Sequence, residues 1–347
     1  MNQQRQSTQL ARPAGPTVPA APSQGQVQTV KDVRQQTRDL VQQKMAPALK
    51  SLLPSGIQAE QFQASLINTI DATPELMANP VSLALAVYNL ARLGLDTNPV
   101  LQLAYLIPRE VSQAKKDPAT GKDVLDDRGK RIYLKKPVVT MQIGYKGFIF
   151  LGRRARLTSM CEARVVRDGD EFDYTEGLVP NLVHRPKLNG DGEVIAAYAR
   201  AIVDGRPVFR LVDQSDIRRA MMASSSAFPL VWDNQLKRKV RDTTKLNPDS
   251  PWSTDYEAMA MKTAIRRFYK SFDLVEFAQV AEALAVDASY DKGKAPVPLD
   301  ASGSPMQAPA QLGAAADWRD EIDVGGGDDI WPEDDRAGDI DGDGAAS

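Results

Sequence analysis

Eleven basic residues fall between positions 128 and 167, against a single acid, Glu162. A net charge of +10 over 40 residues repels itself in a folded unit unless something neutralises it, so the chemistry on offer is polyanion binding. Within this stretch Tyr145–Arg156 has a helical period. Tyr145, Phe148, Ile149, Leu151, Gly152 and Ala155 share one broad face, and Lys146, Arg153 and Arg154 lie opposite with Phe150 among them. An aromatic ring set among cations suits a nucleic acid, because bases stack where cations hold phosphates. A solvated face with one exposed ring would read the same. Gly144 and Gly147 flank Tyr145-Lys146 at an expected strand-to-helix junction, where small residues let backbone amides approach a phosphate.

A second basic row is Lys262, Arg266 and Lys270, spaced i, i+4, i+8, with Arg267 beside it and Met261, Ala264, Ile265 and Phe268 on the other side. Like charges at i, i+4 cost a helix about 0.2–0.5 kcal/mol per pair. With no interleaved acid, the row makes sense if phosphates sit between the cations. The expectation is one phosphate-lined groove holding Lys146, Arg153, Lys262 and Arg266. A third cluster is Lys237, Arg238, Lys239, Arg241 and Lys245, offset by Asp242 and flanked by Trp232 and Trp252, for each of which core packing is preferred to base stacking.

Other residues offer different chemistry. Asp168, Asp170, Glu171 and Asp173 resemble a magnesium-nuclease site, but VVRDGDEFDY also fits a turn between two strands with Gly169 in it. His184, the one histidine, would carry general-base catalysis alone; a structural hydrogen bond, or a phosphate contact with Arg185, is the preferred reading. Cys161 beside Met160 reads as a small buried hydrophobe. Asp339, Asp341, Asp343 and Gly344 match the first half of a calcium loop, but the Glu at its twelfth position would fall beyond Ser347, so the run reads as acidic tail.

Composition narrows the classes. One Cys and one His exclude disulfides, two-His metal sites and cysteine-based zinc or iron–sulfur sites. Neither phosphate-binding glycine fingerprint occurs. Val81–Ala91, the longest apolar run, is too short and polar to span a bilayer, and the Gln-rich N-terminus lacks an apolar leader, so a cytoplasmic protein without membrane contact is expected. The formal net charge of −2 hides an asymmetry: residues 31–290 carry net +6 and residues 317–347 net −10. The folded part is basic and the tail acidic, which points to a polyanionic partner.

The elements that must position these residues follow from periodicity. Residues 1–30 read as a disordered tail. Helices are expected at 32–53 and 59–70, and from Pro80 to Arg92 with Asn79 as N-cap and Gly94 closing the end. Strands are expected at 101–108, 132–143, 158–166, 194–203 and 208–212. Asp213 or Ser215 caps a helix to Met222, and one long helix spans 252–272 before a shorter one to 285. The expected fold is α+β: a helical segment (31–94), a core (95–288) in which a small antiparallel sheet and helices form a basic groove, and a disordered acidic tail (289–347). That tail keeps Trp318, Ile322, Ile330 and Trp331 as candidate partner anchors. An acidic tail tethered to a basic groove would compete with a polyanionic ligand, so removing residues after about Ala288 is expected to tighten polyanion binding at low salt.

Five segments, in order, resemble the RecT family of phage and prophage single-strand annealing proteins. They are ARLGLDTNPVLQLAYLIP (91–108), QIGYKGFI (142–149), ARVVRDGDEF (163–172), His184-Arg185 and EAMAMKTAIRRFYK (257–270). One departure is Ala155-Arg156, where the family pattern suggests a glycine after the paired bases. The resemblance implies single-strand DNA binding and annealing without ATP, and assembly into rings or helical filaments. It also implies a partner exonuclease; deleting the acidic tail is then expected to leave annealing intact and to abolish recruitment through that nuclease or a host single-strand-binding protein. No cofactor is implied, Mg2+ entering only as an influence on DNA binding. The DNA-contacting candidates are Lys135, Lys136, Gly144, Tyr145, Lys146, Gly147, Phe150, Arg153, Arg154, Arg164, Arg185, Lys262, Thr263, Arg266, Arg267 and Lys270. A magnesium-dependent nuclease built on 168–173 and a passive single-strand coat are the alternatives.

Overall fold

The computed structural model describes residues 35–293 apart from 118–119, 128, 130 and 236–237, together with 296, 298 and 304–306. The readings made on residues 1–30, Arg128, Lys130, Lys237 and 317–347 lie outside the described residues. What is described mixes helices with small antiparallel sheets, the expected α+β class.

Asp39–Met45 winds as π-helix and continues into α1 (Ala46–Leu52). α2 (Ala59–Ala72) turns Phe62, Leu66 and Ile70 inward. α3 (Pro80–Leu93) starts where the sequence says it must: the Asn79 side chain accepts the Ser82 amide, and Pro80 occupies the first turn, where its missing N–H costs nothing. Gly94 ends it at φ +60, with the Leu95 amide reaching back to the Leu90 carbonyl and the Gly94 amide to Ala91.

A long ribbon follows. β1 (Ala104–Ala114) pairs antiparallel with β2 (Tyr133–Ile143), in register from Ala104↔Ile143 to Ala114↔Tyr133. Its base is in the core through Val138, Val139, Met141 and Ile143, and its far end exposes Tyr133 and Leu134. Two bonds tie the base to the start of α3: the Val139 amide donates to Ser82 Oγ at 2.9 Å, and Asn79 Nδ2 to the Pro137 carbonyl at 2.9 Å. α4 (Tyr145–Arg154) leaves the end of β2 directly.

β3 (Cys161–Arg167), β6 (Val194–Val203) and β7 (Arg206–Asp213) form a sheet in the order β3-β6-β7. The small side chains of Ala197, Ala199 and Ala201 on one face let a helix pack closely there. That helix is α7 (Tyr256–Lys270). The other face is covered by a hairpin of β4 (Glu171–Thr175) and β5 (Asn181–Arg185), with Phe172 stacked 6.0 Å from Tyr198 and Tyr174 edge-on 6.4 Å from Phe209. α5 (Gln214–Ala223) is capped by Asp213, whose carboxylate accepts the Asp216 amide. β8 (Leu230–Asp233) and β9 (Arg238–Arg241) make a separate two-stranded hairpin.

Two expectations about the C-terminal helices change. The single helix at 252–272 is broken into α6 (Pro251–Thr254) and α7, because Asp255 leaves the helical region at φ −150, ψ 64 and caps α7 through the Ala258 amide. α8 (Ala278–Asp291) runs past the Ala288 boundary, with Tyr290 buried and Asp291 paired to Arg266. One hydrophobic cluster joins Leu40, Leu66 and Val87 to Phe148, Phe268 and Val286, so the N-terminal helices and the sheet share a core. Among the described residues no helix is long and apolar enough to cross a membrane.

Candidate nucleic-acid interface

The β2–α4 junction is the first place the sequence marked. Gly144 holds extended backbone at φ −72, ψ 160, and its amide donates to the Leu103 carbonyl at 2.9 Å. A Cβ at Gly144 would overlap the Gln102 carbonyl, and one at Gly147 the Leu103 carbonyl and the Ile143 side chain. The chain itself crosses here, so both glycines are needed for packing; the space expected for a phosphate is filled by Gln102 and Leu103, which lead into β1. Lys146 stands outside this crossing, exposed, with Nζ 2.5 Å from Gln102 Oε1. Tyr145 is half-buried, and burial, then Asp255, pushes its phenol above the ordinary range.

The far end of α4 separates two arginines that the helical wheel placed together. Arg153 is exposed, and so is Arg156 just beyond; neither forms an ion pair among the described residues. Arg154 turns inward instead. Its Nη2 donates to the Leu93 carbonyl at 2.6 Å and to Gln279 Oε1 at 2.8 Å, satisfying an orphan carbonyl at the end of α3. It also lies 5.3 Å from the centre of the half-buried Phe150 ring, which packs on the core. Arg154 and Phe150 therefore join α3, α4 and α8, and the reading of Phe150 as a ring standing in an open cationic face is corrected.

The α7 row departs furthest from expectation. Lys262 is 3% exposed, its ammonium 2.9 Å from Asp287 Oδ1. Arg266 bridges Asp287 at 3.3 Å and Asp291 at 2.5 Å, and the Ile143 amide donates to the same Asp287 oxygen as Lys262, at 3.0 Å. Burial pushes the Asp287 carboxyl up, with Lys262 pulling against it. Asp291 is held down by Lys262 and Arg266 in spite of its burial. The acids that relieve the like-charge row come from α8, 21 to 25 residues along the chain. The single groove holding Lys146, Arg153, Lys262 and Arg266 is not formed, because Lys262 is inside the molecule. Thr263 bonds back to the Met259 carbonyl, Arg267 pairs with Asp216 of α5, and Lys270 is exposed at the last turn.

The remaining candidates are spread. Lys135, on the exposed part of the ribbon, pairs with Glu110 at 3.0 Å, and Lys136 beside it is half-buried. Arg164 and Arg200 share Glu162 on the outer face of the β3-β6-β7 sheet, and Arg185 pairs with Glu171 across β4–β5.

The acidic run resolves into a turn. The Asp170 carboxylate accepts the Lys187 amide at 2.9 Å, the Arg167 amide at 2.8 Å and His184 Nε2 at 3.0 Å, and the first of these does most to hold its pKa down at about 2. His184 Nδ1 lies 3.2 Å from the Tyr198 hydroxyl. The structural reading of His184 holds, and Asp170 has its lone pairs committed to the fold. Among the described residues no three His, Cys, Asp or Glu side chains are grouped to hold a metal ion. Cys161 receives the Tyr269 hydroxyl at 3.6 Å, and burial pushes its thiol up to about 11.

The two flanking tryptophans part company. Trp252 is 2% exposed, in the core, whereas Trp232 is 57% exposed on β8. Core packing, the preferred reading of both, holds for Trp252 and is corrected for Trp232.

The RecT family model matches residues 60–292, more than half of the chain. Protein RecT of Escherichia coli (strain K12) is 32% identical over 231 residues, covering 66% of this chain and 72% of that relative. The match spans α2 to α8 and includes the junction glycines, the exposed α4 cations and the Lys262–Asp287 pair; the chain belongs to the RecT family.

Proposed function

We propose that this protein binds single-stranded DNA and anneals complementary strands in homologous recombination, without ATP and assembled on the DNA as a ring or helical filament. The observation that carries the reading is the family match over 60–292, which contains the exposed cations Lys146, Arg153 and Arg156. Phosphate contacts fix a strand's position without reading its sequence, which is what an annealing protein needs. Base pairing then supplies the free energy, about 1.4 kcal/mol per step in duplex DNA, so no hydrolysis is required. The reading extends to a bacterial cytoplasm, a partner exonuclease that exposes the strand, a host single-strand-binding protein, and Mg2+ only as a modulator of DNA binding.

Two complementary labelled oligonucleotides mixed with the protein in the absence of nucleotide test it. Pairing faster than in protein-free buffer is expected, with rings or filaments in electron micrographs after sequential addition of the strands. Slower pairing would make the protein a passive coat. Shortened strands in Mg2+ would make it a nuclease.

A further inference from the structure

The β8–β9 hairpin carries apolar side chains that nothing among the described residues covers. Leu230, Val231 and Trp232 are consecutive and all exposed, so neither face of β8 is against the core. Residues directly opposite in an antiparallel pair share a face. The register sets Trp232 opposite Lys239 and Leu230 opposite Arg241, and Leu230 and Trp232, two residues apart, share one face of the ribbon. The base of the hairpin is fixed. Arg241 Nη1 donates to the Met222 carbonyl at the end of α5 at 2.6 Å, and the Asp242 amide bonds the Pro229 carbonyl at 3.0 Å. The Asp242 carboxylate is turned to Thr244. The segment 230–245 holds five cations and two acids.

We infer that this hairpin is a base-stacking platform, Trp232 taking the face of an unpaired base within a segment whose excess of cations favours the flanking phosphates. The inference rests on the single-strand reading above and gives it a specific contact. Charge complementarity selects the occupant: residues 230–245 carry net +3, and a single strand brings the opposite charge along its phosphates. A tryptophan face stacks on a base only where that base is not already stacked in a duplex. Trp232 therefore favours the single strand over the annealed product and helps release the product once pairing is complete.

The test uses the full chain and two probes with identical phosphate spacing, an oligo-dT and an oligomer of abasic sites. The intact protein should prefer oligo-dT. Trp232→Ala should weaken oligo-dT binding by about 10- to 100-fold, leave abasic binding unchanged, and leave the salt slope of oligo-dT binding unchanged, since stacking releases no counterions. Trp232→Tyr should restore most of the preference. Equal oligo-dT affinity for Trp232→Ala and the intact protein would overturn the platform while leaving single-strand binding standing. Equal losses on both probes, with altered sedimentation of the DNA-free protein, would overturn it in favour of a subunit contact. An intact protein that bound neither probe would remove the platform together with the reading beneath it.

Discussion

α4 and α7 are both helices with cations on one side and aromatic or aliphatic residues on the other, and they end in opposite situations. On α4 the basic residues divide. Lys146 and Arg153 stay at the surface, and Arg154 folds back on the end of α3. On α7 the row is pulled inward, and Lys262 and Arg266 meet Asp287 and Asp291 of α8. A helical wheel shows only the partners that one helix supplies to itself. Charges brought by another element, 25 residues along the chain for Lys262 and Asp287, decide whether a cation is available to a ligand or neutralised within the fold. The two helices thus divide the labour, α7 holding the sheet to α8 and α4 presenting charge outward.

The largest effect that could break this comparison is at Asp287. Asp287→Ala leaves a buried ammonium and the Ile143 amide without their acceptor. Removing one partner of a buried pair costs about 3–5 kcal/mol, so denaturant unfolding should show a destabilisation of that size. Lys262→Ala should do the same from the other side. If Lys262→Ala instead unfolded like the intact protein and bound single strands more weakly, α7 would be a binding helix after all.

Next in size is Gly147→Val. The added side chain meets the Leu103 carbonyl and Ile143 with no room to shift, so overpacking of about 1–3 kcal/mol is expected. Melting temperature should fall first, with DNA affinity changing only as the folded fraction does. An unchanged melting temperature with weakened binding would return the junction to phosphate recognition.

Lys146→Ala and Arg153→Ala sharpen the other side. Both side chains are exposed, so stability should stay within about 0.5 kcal/mol. Deleting a cation that holds a phosphate should make the salt dependence of single-strand binding shallower by about 0.7 log units. The slope of log affinity against log salt measures it, and an unchanged slope for both variants would move the phosphate track away from α4.

Much of the fold was legible because it is written in local signals. Asn79-Pro80 opens α3 and Gly94 closes it; Asp213 caps α5; the strands at 133–143 and 194–203 coincide with their expected spans to within a residue. What escaped depends on tertiary pairing. The β8–β9 hairpin is a four-residue pair whose first strand carries consecutive exposed apolar residues, without the half-buried alternation that marks a strand. Asp255 breaks the 252–272 helix with a cap whose carboxylate also suits a helix's first turn, so the pattern alone could not show a boundary there. For the site, the positions of the basic clusters were readable, but Arg154 and Lys262 needed α3 and α8 in place to show that they serve the fold. Trp232 and Trp252 both flank the third basic cluster, and only the fold shows that one is covered and the other is not.

The smallest effect returns to the end of α4. Both α3 and α4 finish in the same six-residue motif. At α3 the Leu95 amide reaches the Leu90 carbonyl and Gly94 takes φ +60; at α4 the Leu157 amide reaches the Gly152 carbonyl and Arg156 takes φ +59. The left-handed conformation costs a residue with a Cβ about 1–2 kcal/mol and glycine almost nothing. Arg156, standing where the family pattern suggests a glycine nearby, therefore carries backbone strain that Gly94 does not. Arg156→Gly removes that strain but also frees the unfolded chain, so the net gain should be below the full cost, about 0.5–1 kcal/mol. A small rise in the unfolding midpoint at unchanged denaturant slope would register it. The same variant deletes an exposed cation next to Arg153, so a stability gain accompanied by a shallower salt slope for single strands would mean that Arg156 is kept for DNA although it strains its turn. A gain with an unchanged slope would leave Lys146 and Arg153 as the cations of α4 that matter.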